Sequence, residues 1–113
     1  MLTKKALRKT TVQTTAEMMS DMAKLLGVNT YQEIQDHPER KIAAEIVCDY
    51  RGKKPGTLKI IFQHVNGFMN KGLFHKSIGR QTAAYVLGVY NAGLITDMEC
   101  VNAMKVHATY EPS

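Results

Sequence analysis

Between Tyr50 and Thr96 the chain has no aspartate and no glutamate, yet the same stretch carries Arg51, Lys53, Lys54, Lys59, Lys71, Lys76 and Arg80. Charge pairing inside that stretch is therefore excluded: its cations pair with acids elsewhere, meet a polyanion, or stay in water. Long apolar runs are also lacking, and none approaches the ~20 residues that a membrane-spanning helix needs. The opening MLTKKALRKTTVQTT is basic but has no apolar central block, so it is not expected to act as a secretory signal. The expected location is the cytoplasm, with no membrane partner.

Cysteine is scarce. Cys48 and Cys100 stand far apart and outside any CxxC or Cys/His cluster, which predicts free, partly buried thiols acting as small hydrophobes. His37, His64, His75 and His107 show no three- or four-residue pairing and no cysteine at ligand spacing, so no metal site is expected. Glycine-rich phosphate loops, nucleophile elbows and HExxH are absent, and Gly52-Lys-Lys-Pro-Gly56 lacks the Gly-Lys-Ser/Thr end of a phosphate-cradling loop. The expectation is a protein without catalytic residues and without a cofactor.

What is present is an ordinary globular composition: 113 residues, 44% hydrophobic and 22% charged. That suffices for one domain with its own core. The net charge of +5 is uneven. Lys4, Lys5, Arg8 and Lys9 make residues 1–12 basic, residues 13–49 hold three bases against seven acids, and residues 97–113 are mildly acidic. The organisation predicted is a basic N-terminal arm over 1–12, a helical domain over 13–109 and a frayed tail over 110–113.

Helix signals recur along the chain. Thr14-Thr-Ala-Glu17, Thr30-Tyr-Gln-Glu33 and Thr96-Asp-Met-Glu99 each match the capping box, in which threonine and glutamate satisfy free amides of the first turn. After the first box, Met18, Met19, Met22, Ala23, Leu25 and Leu26 form a helical stripe ending at Gly27, so the first helix is placed at about 15–26. The methionines there are read as core. A short helix over 31–36 must stop before Pro38, which suits the first turn of a third helix running to Tyr50. Ile42, Ala43, Ile46, Val47 and Tyr50 are its expected buried face.

Residues 51–56 form a loop, Thr57 is the expected cap of a fourth helix, and Leu58, Ile61, Phe62, Val65 and Met69 are its apolar stripe. Lys71 to Lys76 is read as a loop and Ser77 as the cap of a fifth helix through Val86, Leu87 and Tyr90, closed by Asn91-Ala-Gly93. Gly79, Ala83, Ala84 and Gly88 are small enough for another helix to approach. The last helix, 97 to about 108, is expected to pack Met98, Val101 and Met104. The fold class is all-α, a single-domain bundle of five or six short helices.

A helix-turn-helix over Gln81 to Ile95 fails, because its recognition helix would contain Gly93 and would compete with the Thr96 capping box. A capped antiparallel helix pair is the better fit. The basic segment offers a broader binding surface: Arg51, Lys53, Lys54, Lys59, Lys71, Lys76 and Arg80 for phosphates, with Gln63, Asn66 and Asn70 as amides able to bond base edges. No aromatic ladder for single strands accompanies it, since Phe62 lies on the apolar stripe. The function expected is non-enzymatic binding, through protein partners or self-association, with nucleic-acid binding through segment 51–80 as the alternative.

Overall fold

The computed structural model describes residues 10–71 and 79–100; of Asn70, Lys71 and Gly79 it describes the backbone alone. The chain folds as α1 (Thr11–Leu26), α2 (Tyr31–Asp36), α3 (Arg40–Tyr50), α4 (Thr57–Asn66) continuing into a π-helical turn (Gly67–Lys71), and α5 (Gly79–Asn91). Residues 97–100 begin a further helical turn, α6. The described residues contain no strand, and the all-α class stands. Among them no helix is long and apolar enough to cross a membrane.

α1 starts four residues before the place its sequence signal suggested. Thr10, extended at φ −76° and ψ 166°, accepts from the Gln13 amide at 3.1 Å, and Gln13 Oε1 accepts from the Thr10 amide at 2.8 Å. This is a capping box with glutamine in the glutamate position, so Thr14 and Glu17 fall inside the helix. The helix ends at Gly27, whose φ of 69° is the left-handed conformation that glycine enters without steric cost. The Thr30 and Thr96 signals do open helices: the Glu33 and Glu99 amides each donate to the threonine hydroxyl at 3.1 Å. Thr57 is no cap. α4 begins on Gly56 without a side-chain cap, which places Thr57 inside the first turn.

The core is built from Met18, Met19 and Met22 of α1, Tyr31 and Ile34 of α2, the inner faces of α4 and α5, and Leu94, Ile95 and Cys100. Burial of a methionine of this kind is worth about 2 kcal/mol, so the α1 triplet alone is a large part of the driving force. Cys48 and Cys100 are both buried and free. Outside α3, three expected core positions are exposed, Leu25, Leu87 and Met98, and Cys100 faces inward in place of Met98. Lys71, expected to open a loop, ends the π-helical turn, and residues 10–12 of the expected arm cap and begin α1. Residues 72–76 of that loop, the Ser77 cap, Val101, Met104, residues 1–9 of the arm and the tail at 110–113 lie outside the described residues.

α1 packs chiefly against α5. The two helices come very close at Gly88, where an added Cβ would sit 2.5 Å from Thr15 Cβ and 3.1 Å from the Val12 carbonyl oxygen. The Tyr31 amide also donates to the Leu94 carbonyl at 2.8 Å, tying α2 to the turn after α5. Alanine in place of a mid-helix glycine ordinarily gains about 1 kcal/mol. Here the overlap with buried Thr15 outweighs it, and Gly88→Ala should lower stability by about 1–3 kcal/mol in thermal or urea unfolding. A gain in stability would mean the two helices do not touch at this point.

Candidate functional site

α3 carries an arginine at each end. At its first residue, Arg40 Nη1 donates to the Gln35 carbonyl oxygen at 2.8 Å and to Gln35 Oε1 at 3.1 Å, and its guanidinium lies 5.9 Å from the Phe62 ring centroid. The first bond satisfies a carbonyl in the last turn of α2, a place that favours a cation. Just past the other end, Arg51 grips Asp21 of α1 with Nε at 2.6 Å and Nη2 at 3.0 Å, and Nη1 lies 3.5 Å from Glu17. Bidentate pairing of this kind is geometrically specific. It raises the guanidinium pKa above its already high ordinary value, chiefly through the Asp21 hydrogen bond.

With these anchors, α3 turns Ala43, Val47 and Cys48 inward. The face expected to be buried is largely turned out: Ile42 is 59% exposed, Ile46 51% and Tyr50 77%. Of the five residues expected on the inner face, only Ala43 and Val47 are buried. The exposed three stand at i, i+4 and i+8, one stripe along the helix. Beside them Leu25 of α1 is 49% exposed, and a shallow groove of about 370 Å³ runs between α1 and α3, lined by Lys24, Leu25, Ile46 and Tyr50 among others. The Tyr50 ring is held under the Arg51 guanidinium at 5.3 Å.

The opposite side of α3 forms one wall of a cleft of about 420 Å³ shared with α2 and α4. Arg40, Lys41 and Glu45 come from α3, Lys59 and Gln63 from α4, Gln35 from α2, and Ala44, Pro55 and Phe62 add apolar surface. Behind it runs a chain of hydrogen bonds. The Tyr31 hydroxyl donates to Asn66 Oδ1 at 2.7 Å, and Asn66 Nδ2 donates to Gln35 Oε1 at 2.9 Å. Burial pushes the Tyr31 phenol far above its ordinary value, with the Arg40 cation opposing in part.

The residues expected to bind a polyanion are therefore dispersed. Arg51 is committed to the acids of α1, and the Asn66 amide to Tyr31 and Gln35. Lys53, Lys54, Lys59, Gln63 and Arg80 are exposed. Among the described residues no ion pair holds Lys53, Lys54, Lys59 or Arg80. The side chains of Asn70 and Lys71, and all of Lys76, lie outside the described residues. Gln35, Arg40 and Lys41 were not anticipated, because they belong to the acid-rich block and meet Lys59 only through the fold.

The described histidines are used within the fold. His37 Nδ1 accepts from the Glu39 amide at 3.0 Å, and His64 Nδ1 lies 2.9 Å from Thr82 Oγ1 with its ring edge-on to Tyr85. Among the described residues no three His, Cys, Asp or Glu side chains gather where they could hold a metal ion. The turn after α5 also differs from a DNA-reading motif. Tyr90 belongs to α5, Gly93 is left-handed at φ 78°, and the Tyr90 hydroxyl donates to exposed Asp97 at 2.6 Å.

Comparison with protein-family models, with curated proteins and with solved structures finds no match. The chain's own residues carry the functional reading.

The Tyr31 phenol should titrate above the ordinary value of about 10. Its neutral form is favoured only in the fold, so its contribution to stability is intact below that value and is lost as pH rises toward the folded-state value. Phenolate absorbance should lose its latest component in Tyr31→Phe. Asn66→Ala removes the acceptor of a buried hydroxyl and should cost about 1–3 kcal/mol, whereas Gln63→Ala on the exposed face should stay within about 0.5. Equal effects of the two alanines would contradict the network.

Proposed function

We propose that this chain is a non-enzymatic binding protein that works by assembly, two copies packing the outer face of α3 against each other. The observation that carries this reading is the stripe Ile42, Ile46 and Tyr50, exposed beside Leu25. At ordinary side-chain areas these four offer on the order of 500 Å² of apolar surface, the upper end of the largest patch on a typical monomer.

A second copy is the occupant that the spacing favours. The stripe is symmetric about Ile46, so an antiparallel α3 pair sets Ile46 against itself and Ile42 against Tyr50 of the second copy. Lys41 and Glu45 line the cleft on the other side of α3 and take no part in this contact. Tyr50 is already ordered by Arg51, which lowers the entropy lost on contact.

Counting both copies, about 1,000 Å² of apolar surface is covered, near the lower bound for a specific interface, so the dimer should be weak. Nucleic-acid binding draws less support, because Arg51 and Asn66 of its proposed surface are engaged inside the fold.

Sedimentation across a concentration series should show a monomer–dimer equilibrium in the micromolar range. Ile46→Asp should abolish it without unfolding the protein, since that side chain is half exposed. A strict monomer at every concentration, or a dimer untouched by Ile46→Asp, would refute this reading.

A further inference from the structure

The cleft between α2, α3 and α4 has a chemistry that α3 packing does not use. Three cations, Arg40, Lys41 and Lys59, line it against one carboxylate, Glu45. Among the described residues neither lysine has a salt-bridge partner, so its charge is free to meet a ligand. Arg40 spends Nη1 on Gln35 and keeps its remaining N–H groups.

Gln35 adds a donor. Its Oε1 accepts from both Arg40 and Asn66, which fixes the orientation of the amide, since a flip would set its NH2 against two donors. The Nε2 that results is buried and has no hydrogen-bond partner in the protein. A buried amide donor left without an acceptor costs about 1–3 kcal/mol, and native proteins rarely leave such groups unmatched. The atom is closed to water in this conformation, and with Arg40 bonded to the same side chain an anionic oxygen entering from the cleft is the acceptor that also meets a charge.

The size of the cleft separates the ligand classes. About 420 Å³ lies within the range of small-molecule sites, in a cleft between three helices that is open on its outer side. Its net charge of three cations against one acid matches a dianion, and Ala44 and Pro55 give an apolar wall for the group that bears it. Glu45 stands ready to accept from a hydroxyl.

We propose that this cleft binds a small phosphate monoester, its phosphate held by Lys41, Lys59 and the outer N–H groups of Arg40, with the Gln35 amide as a further donor. Binding is non-covalent, and no bond is made or broken.

The test is a nuclear magnetic resonance titration of the labelled protein with inorganic phosphate and with a nucleoside 5′-monophosphate at about 0.15 M salt, where diffuse attraction is screened. Both should shift Lys41, Lys59, Gln63 and the Gln35 side-chain amide saturably, the monoester more tightly. Lys59→Gln, on an exposed and unpaired side chain, should weaken binding about tenfold, the worth of one charged hydrogen bond. Lys53→Gln with Lys54→Gln, outside the cleft lining, should leave it unchanged.

Three results would overturn the proposal. One is the absence of saturable shifts at the cleft residues. Another is an equal loss in the Lys53/Lys54 variant, which would mean diffuse attraction. The last is equal affinity for an oligonucleotide lacking terminal phosphates, which would make the ligand a nucleic-acid backbone.

Discussion

The rotation of α3 about its own axis decides what this protein presents to its surroundings. Two arginines set it: Arg40 against the end of α2 and the Phe62 ring, Arg51 against the acids of α1. Both stand on the same side of the helix as Ala43, Val47 and Cys48, so anchoring the ends turns the small side chains in. The isoleucines go out. Burying a fully exposed isoleucine would gain about 1.5–3 kcal/mol, so leaving two of them half exposed forgoes a real stabilisation. The opposite rotation would strip the α2 carbonyl of its charged donor and part the bidentate pair, while forcing larger side chains into a space that takes alanine and cysteine. The same rotation aims Lys41 and Glu45 at the α4 wall, so the outer stripe and the inner cleft have one cause.

Local signals carried most of the fold. The Thr30 and Thr96 boxes, Gly27 and Gly93 marked helix ends because capping is chemistry between residues three or four apart. The α1 start slipped because Gln13 replaces the more familiar glutamate and a second Thr-x-x-Glu follows directly behind it. The α3 face is ambiguous in the sequence for a deeper reason. Ile42, Ala43, Ile46, Val47 and Tyr50 cover so wide an arc that periodicity does not say which edge is buried. The deciding contacts, to Asp21 and Gln35, come from other helices.

The acid-free segment breaks apart for the same reason. Arg51 is neutralised by two acids from α1, so part of the charge asymmetry along the sequence is internal pairing between adjacent helices. Lys59 and Gln63 instead join Arg40 and Lys41 across the cleft, although those two belong to the stretch richest in acid. Charge blocks along a chain thus sort into different surfaces once helices pack. Asn66 shows the complementary effect: read as an outward amide, it links buried Tyr31 to Gln35 and is spent on structure.

The orientation of α3 can be tested without any ligand or partner. Urea unfolding at low protein concentration should show Val47→Asp costing at least about 3 kcal/mol, as expected for a charge driven into an apolar interior. Ile42→Asp, five residues away on the outer face, should cost less than about 1 kcal/mol. Comparable losses, or a larger one at Ile42, would mean that the helix is turned the other way and that neither surface is arranged as described.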